Sequence, residues 1–311
     1  MSDVLTIGPN STSLSLTAPS ILPGARHHQA PTTTSNNPFD EWSHSITNRT
    51  SPTFIQVAEA DDPINDLEVA PRQILVLGGH PGSGKTALAQ QLVFDALRQP
   101  GQDELRALIC NVEMPVSALL DRELARVSGV PYLQIRQRSY DDKGMDRIRP
   151  VLEHLPKILG RMKFMEPPFT AIQLMKEATN FGADLIIVDY VQRLRAEGSD
   201  ARIQVSSAME SLRDIADAGR TVVAVAALNR TSYDVASHTS GSFRDSSEIE
   251  YGADAAYILE RRPASSAATL KCVKRRYGEP RNLELQFDGD RQLFKRKKAE
   301  VVNDTQLLTD P

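Results

Sequence analysis

Cysteine is nearly absent from this chain, with only Cys110 and Cys272 among 311 residues. Each falls inside a predicted strand without a C-x-x-C neighbour or a nearby histidine cluster. A disulfide framework and a structural metal site are therefore not expected, and a reducing compartment is. Long hydrophobic runs are missing too. The longest, Val222 to Leu228, falls far short of the roughly 20 apolar residues a membrane helix needs, and Met1-Ser2-Asp3-Val4 has neither the basic nor the apolar part of a signal peptide. The expectation is a cytoplasmic protein with no membrane partner. Nor is there an excess of positive charge: 36 Lys and Arg against 40 Asp and Glu give a formal net charge of −4. Any contact with nucleic acid must come from a local patch.

The chain has 40% hydrophobic residues, enough for one large core flanked by tails. Residues 1–56 are dominated by Ser, Thr, Pro and Asn without sustained apolar periodicity, and are read as a disordered tail. Within it, Pro38-Phe39-Asp40-Glu41-Trp42 is either a short motif that docks a protein partner or an isolated aromatic cluster. Residues 57–298 form the folded domain, entered through a linker over 57–71, and 299–311 are a C-terminal tail.

The domain is organised around Ile74-Leu75-Val76-Leu77, an apolar strand that runs into Gly78-Gly79-His80-Pro81-Gly82-Ser83-Gly84-Lys85-Thr86. Gly79 to Thr86 fit G-x-x-x-x-G-K-[ST], and Leu88, Leu92 and Ala96 repeat at helical spacing behind it. Glycines at 79, 82 and 84 let backbone N–H groups close around an anion at a helix N-terminus. Pro81 and Ser83 complete the loop, Lys85 would reach β- and γ-phosphates, and Thr86 would place a hydroxyl on Mg²⁺.

Downstream, Ala107 to Val112 read as a second buried strand that stops at Glu113-Met114-Pro115. Pro115 opens a helix whose predicted face is Val116, Leu119, Leu120, Leu124 and Val127, closed by Gly129. Residues 131–160 read as helical but broken at Pro150 and Pro156. Met162 to Met165 form a short strand, and Thr170 caps a helix carrying Ile172, Met175, Ala178 and Phe181 to a stop at Gly182. Leu185-Ile186-Ile187-Val188-Asp189 is a buried strand that delivers a carboxylate to its C-terminal edge, the Walker B pattern. A helix lined by Val205, Met209, Leu212 and Ile215 leads to the strand Thr221–Leu228 and the polar loop 231–247. This alternation implies an α/β fold with a mainly parallel central sheet and helices on both faces. Ala255–Leu259, Ala268–Val273 and Leu283–Phe287 then read as C-terminal antiparallel strands. From Arg261 to Lys298 twelve Lys or Arg face four acids; Lys274-Arg275-Arg276 stands out at a turn, while Lys295–Lys298 reads as a solvated tail.

Taken together, these motifs resemble in kind and order the RecA-like ATPase domain of hexameric replicative helicases of the DnaB type. Asn111-Val112-Glu113-Met114-Pro115, followed by Arg122, is similar to that family's Ser-Leu-Glu-Met segment. Val188-Asp189-Tyr190-Val191-Gln192 resembles Ile-Asp-Tyr-Leu-Gln, and Leu228-Asn229-Arg230 the end of Ser-Gln-Leu-Asn-Arg. Phe243-Arg244-Asp245-Ser246-Ser247-Glu248-Ile249-Glu250 is similar to Leu-Arg-Glu-Ser-Gly-x-Ile-Glu, and Lys274-Arg275-Arg276-Tyr277-Gly278 to Lys-x-Arg-x-Gly.

The resemblance implies a RecA-like P-loop NTPase using ATP and Mg²⁺. Glu113 would activate the attacking water, Arg122 would help bind ATP, and Asp189 would hold the Mg²⁺ shell. Lys274 and Arg276 would enter a neighbouring subunit's site, since no other obvious cation in one subunit could meet charge on the γ-phosphoryl group. The partners implied are further copies of the chain, as a hexamer, and single-stranded DNA gripped by Arg244. Three departures stand out: Ala227 in place of a polar Gln, Ser247 in place of a Gly, and a Ser/Thr/Pro-rich tail in place of a helical N-terminal domain and linker helix. The competing reading is a RecA- or KaiC-like ATP-dependent assembly protein that unwinds nothing. A non-hydrolysing accessory subunit is disfavoured by Glu113, Lys85 and Asp189.

Overall fold

The computed structural model describes residues 38–49, 53–198, 200–228, 247–262 and 265–297. They fall into two units divided after Pro52. In the first, α1 (Pro38–Thr47) is a helix where the composition predicts only tail, and Phe39, Trp42 and Ile46 are exposed on it. Its Phe39 and Trp42 rings pack at 5.7 Å, one turn apart.

The second unit is built on nine strands: β1 (Ile74–Gly79), β2 (Ala107–Asn111), β3 (Met162–Phe164), β4 (Leu185–Asp189), β5 (Thr221–Ala227), β6 (Ala255–Arg261), β7 (Ala267–Arg275), β8 (Leu283–Asp288) and β9 (Leu293–Arg296). Their order is β3-β2-β4-β5-β1-β6-β7-β8-β9. The pairs from β3 to β6 are parallel, and those from β6 to β9 antiparallel. β1, β2 and β4 are buried at every position, as their continuous aliphatic runs require of strands covered on both faces.

The helices divide between the faces. One core contains α2 (Lys85–Ala96) and Leu119 of α3 (Val116–Ser128); the other contains α6 (Ala171–Phe181) and α7 (Ala201–Asp217). A small third core, Ala125, Val130, Ile135 and Ile148, joins α3 to α4 (Tyr132–Gln137) and α5 (Asp142–Leu159). A short helix, α8 (Ser247–Gly252), precedes β6. Among the described residues no helix is long and apolar enough to cross a membrane.

Several local expectations are corrected. Residues 57–71 are more than a linker, because Val57, Ile64, Leu67 and Val69 insert into the core around a 3-10 turn capped by Asp62. α5 runs unbroken through Pro150 and Pro156: each removes one hydrogen bond, but Gly144, Ile148, Leu155 and Ile158 hold a continuous buried stripe. α3 exposes Val116 and Val127, and buries Glu123 instead. Glu123 is satisfied by Arg126 and Arg98, and Arg126 also clasps Asp95 with two bonds of 2.7 and 3.0 Å. This neutral cluster pins α3 to α2, and removing one member would strand a buried charge. α6 buries Ala171, Leu174 and Ala178, leaving Ile172 and Met175 outside. Finally, Lys295 and Arg296, expected in a solvated tail over Lys295–Lys298, are exposed but belong to the edge strand β9, whose Phe294 is buried.

Candidate functional site

Gly79, Asn111, Asp189 and Ala227 end neighbouring parallel strands in register, with Asn111 paired to Asp189 and Gly79 to Ala227. The chain beyond these ends encloses a cleft of about 400 Å³, large enough for a nucleotide. It brings together Pro81, Gly82, Gly84, Lys85, Thr86, Glu113, Arg122 and Asp189. Gly79 and Ser83 support the loop from behind: a Cβ on Gly79 would meet both the Leu259 carbonyl oxygen and Ser83 Oγ at 2.8 Å. Gly84 caps α2 at φ 105°, where a Cβ would also strike the Phe294 ring at 2.8 Å. The strand, loop and helix geometry therefore requires glycine at both places.

Lys85 Nζ donates to the carbonyl oxygens of Gly79 (2.8 Å) and His80 (2.9 Å), folded over its own loop. Burial lowers its pKa below the usual lysine value, while the carboxylates of Asp189 and Glu113 oppose that shift. Asp189 is buried, which raises its pKa; a hydrogen bond from the Thr86 hydroxyl works against this, and the Glu113 charge adds to it. A buried carboxylate bonded to a hydroxyl, beside an exposed carboxylate, suits a divalent cation that also takes phosphate oxygens. Among the described residues, Ser83 Oγ and Arg122 Nε are buried without a hydrogen-bond partner, and Arg122 lines the cleft, as an anionic ligand would require. Cys110, behind Asp189, is inert: burial, reinforced by the Asp189 charge, pushes its thiol up to about 12.

Three side chains matter that the sequence did not single out. Asn111 Nδ2 donates to Asp189 Oδ2 (3.0 Å), while its Oδ1 accepts from the Glu113 and Met114 N–H groups at 3.1 and 2.8 Å. One amide thus positions both carboxylate-bearing segments. Gln192 pairs with the backbone of Ala227 in both directions, Nε2 to O at 2.9 Å and N to Oε1 at 3.3 Å. Ala227 itself brings no polar group to the cleft. Arg261 corrects the expectation that one subunit has no other cation: it lines the cleft, donates to the carbonyl oxygens of Gly82 (2.7 Å) and Ser83 (3.2 Å), and lies 4.8 Å over the Phe287 ring. Strand register places it there, since Gly79 pairs with Leu259 two residues before it, and no pattern within either strand announces that pairing.

Lys274 and Arg276 are not in this cleft. β6 runs parallel to β1 and β7 returns antiparallel, so Leu270 pairs with Leu259 near the loop while Arg275 pairs with Ala255 at the far end. There Lys274 Nζ donates to the carbonyls of Glu250 (2.8 Å) and Tyr251 (3.0 Å), and Arg276 Nη1 to Asp254 Oδ1 at 2.7 Å. Arg213 and the Ile74 N–H hold the other oxygen of Asp254. Asn229, Arg230 and Arg244 lie outside the described residues, as do residues 243–246 of the Phe243–Glu250 motif.

Residues 64–296 match the family model of the DnaB-like helicase C terminal domain. The replicative DNA helicase DnaB of Pasteurella multocida is 26% identical over 242 residues, covering 72% of this chain and 51% of that protein. A probable plasmid replicative DNA helicase of Chlamydia trachomatis is 22% identical over 229 residues, covering 71% and 50%. The chain spans about half the length of these curated relatives. In fold, it resembles a DnaB-like replicative helicase solved with attention to its interactions with primase, with TM-score 0.74 and 14% identity over 85% of this chain and 68% of that one. A second solved structure, an isolated ATPase domain, matches with TM-score 0.73 and 14% identity over 84% of this chain and 97% of that domain. The chain belongs to the family of DnaB-like helicase C-terminal domains.

Proposed function

We propose that this chain is a cytoplasmic ATP-hydrolysing motor domain that assembles as a homohexamer and moves along single-stranded DNA during replication. The observation that carries this reading is the division of labour across the sheet. Lys85, Thr86, Glu113 and Asp189 share one cleft, whereas Lys274 and Arg276 sit at the opposite sheet edge, beyond reach of their own subunit's phosphate loop. Thr86 Oγ and Asp189 would hold Mg²⁺, which supplies charge neutralisation between the β- and γ-phosphates when bound. The loop N–H groups and Lys85 bind the phosphates, and Arg122 offers its unpaired Nε. Glu113, its backbone held by Asn111, takes the proton of the attacking water. Lys274 and Arg276 of an adjacent copy complete the positive surround of the γ-phosphoryl group. Arg244 contacts DNA phosphates, and α1, through Phe39, Trp42 and Ile46, docks a protein partner of the N-terminal segment.

Mixed assemblies test the shared site. Arg276→Ala should cut hydrolysis by roughly 10³-fold, on the scale of a lost arginine finger, with little change in nucleotide affinity. Mixing it with a Glu113→Ala chain should restore turnover at about one interface in four, where an intact Glu113 meets an intact Arg276 across a head-to-tail contact. Absence of any recovery in assemblies shown to be mixed would contradict a site completed in trans.

A further inference from the structure

Asp254 sits between the end of α8 and the start of β6, and three other elements converge on it. Its N–H donates to the Ile74 carbonyl and its Oδ2 accepts from the Ile74 N–H, both at 2.9 Å, which fixes it to the first residue of β1. Arg213 of α7 donates to the same carboxylate oxygen at 2.8 Å. From the end of β7, the Arg276 N–H donates to the Asp254 carbonyl at 2.8 Å and Arg276 Nη1 to Oδ1 at 2.7 Å. Backbone and side chain of Arg276 are thus both seated on one residue, and that residue is only 2% exposed.

The strand that carries Arg276 is shaped for this seat. Ala256 pairs with Lys274 but Tyr257 with Cys272, so Val273 is an extra residue on β7, and such a bulge re-aims the side chains that follow it. Lys274 and Arg276 then turn to one side, toward α8 and Asp254. Arg275 turns to the other, where Glu68 and the carbonyl oxygens of Tyr277 (3.2 Å) and Glu279 (3.3 Å) hold it. The turn is anchored on one face and presents its cations on the other.

Charge balance separates the two arginines on Asp254. Arg213 is enough to neutralise the buried carboxylate, although it also reaches the exposed Asp217 at 3.7 Å. Arg276 adds a second positive charge, and its side chain is 48% exposed. A guanidinium carries five N–H donors in a rigid fork, so one Nη can stay on Asp254 while the solvent-facing side meets an oxyanion. A fork already fixed on one side loses less rotamer freedom on reaching a phosphate than a free arginine would.

We propose that Asp254 is a positioning residue for hydrolysis in the adjacent subunit: its carboxylate fixes one side of the Arg276 guanidinium and aims the other at the neighbour's γ-phosphoryl group. The assignment rests on the site shared between subunits proposed above and adds to it the residue that sets the geometry of the contributed cation.

The test is phosphate release by assemblies of the full chain in ATP and Mg²⁺, with nucleotide affinity measured alongside. Asp254→Asn should lower turnover roughly 10²-fold, the cost of a small misplacement, and leave nucleotide affinity as in the parent chain. Adding Asp254→Asn to Arg276→Ala should lower turnover no further than Arg276→Ala alone, because Asp254 acts only through that side chain. Mixing Asp254→Asn with Glu113→Ala chains should restore turnover, whereas mixing it with Arg276→Ala chains should not, since no interface then has a sound guanidinium. Arg276→Lys leaves the buried carboxylate in place and keeps the charge but not the fork, so its turnover should fall close to that of Arg276→Ala. Asp254→Asn that binds nucleotide poorly, multiplies the loss in the double variant or fails to recover with Glu113→Ala would reveal a structural role and overturn the proposal, as would near-parental turnover of Arg276→Lys. If Arg276→Ala itself fails to recover with Glu113→Ala, the shared site falls instead, and Asp254 with it.

Discussion

Replacing Lys85 by alanine is expected to lower ATP turnover by about 10³-fold or more. Two carboxylates, Asp189 and Glu113, act on this ammonium, and its hydrogen bonds hold the carbonyls of Gly79 and His80. Without it the cleft would present those carboxylates and carbonyls to a polyphosphate with one cation fewer. Loss of a single oxyanion donor already costs about 10²- to 10³-fold in other enzymes, and this group carries a full charge. Both nucleotide affinity and turnover should fall, read by titration with a fluorescent ATP analogue and by phosphate release. Lys85→Arg should recover only part of the loss, because a planar fork cannot reproduce a point charge that turns on two carbonyls. Burial also lowers the lysine pKa, so the empty site loses its cation as pH rises through that lowered value. Nucleotide binding should weaken on the alkaline side before free lysine would titrate. Turnover that survives Lys85→Ala would remove the phosphate loop from the mechanism.

Glu113→Gln is expected to separate chemistry from binding. The substitution keeps the shape and the backbone bond to Asn111 Oδ1, but removes the carboxylate that accepts a proton. Turnover should drop by about 10²- to 10⁴-fold, the usual worth of a positioned general base. Nucleotide affinity should stay within a few-fold, since one negative charge beside the phosphates is lost rather than gained. Equal losses in affinity and turnover would indicate that Glu113 holds the ligand or the loop instead. Asn111→Ala should resemble a milder form of the same defect, because it releases the Glu113 backbone and the Asp189 carboxylate together.

The parts of this site that lie contiguously in the chain were legible in the sequence. Gly79 to Thr86 announce strand, loop and helix in order, and Leu185 to Asp189 announce a central strand with an acid at its end. The parallel sheet follows from such runs, because only strands covered on both faces are aliphatic at every position. Thr170, whose hydroxyl accepts from the Gln173 N–H, and Gly182, at φ 67°, mark the ends of α6 as expected.

Features set by register between distant strands were not legible. Arg261, Phe287 and Phe294 meet the phosphate loop only because β6 lies beside β1 and the sheet then folds back three times. Periodicity within each strand says nothing of that order, and Leu293-Phe294 are hidden among basic residues. Gln91 supplies the missing tie: its side chain pairs with the N–H and C=O of Phe294 at 2.8 and 2.9 Å, fastening β9 to the loop helix. Glu123 escaped notice for a related reason, since a buried carboxylate is tolerated only with charged partners, here Arg126 one turn along α3 and Arg98 just past the end of α2.

The most direct measurement of the central claim is the ATPase rate with and without single-stranded DNA, on protein whose mass is followed by light scattering in ATP and Mg²⁺. A catalytic site split between opposite sheet edges predicts turnover that rises with protein concentration as copies assemble, rises again on adding DNA, and accompanies a hexamer-sized particle. Full turnover by a particle of monomer mass, indifferent to DNA, would contradict it.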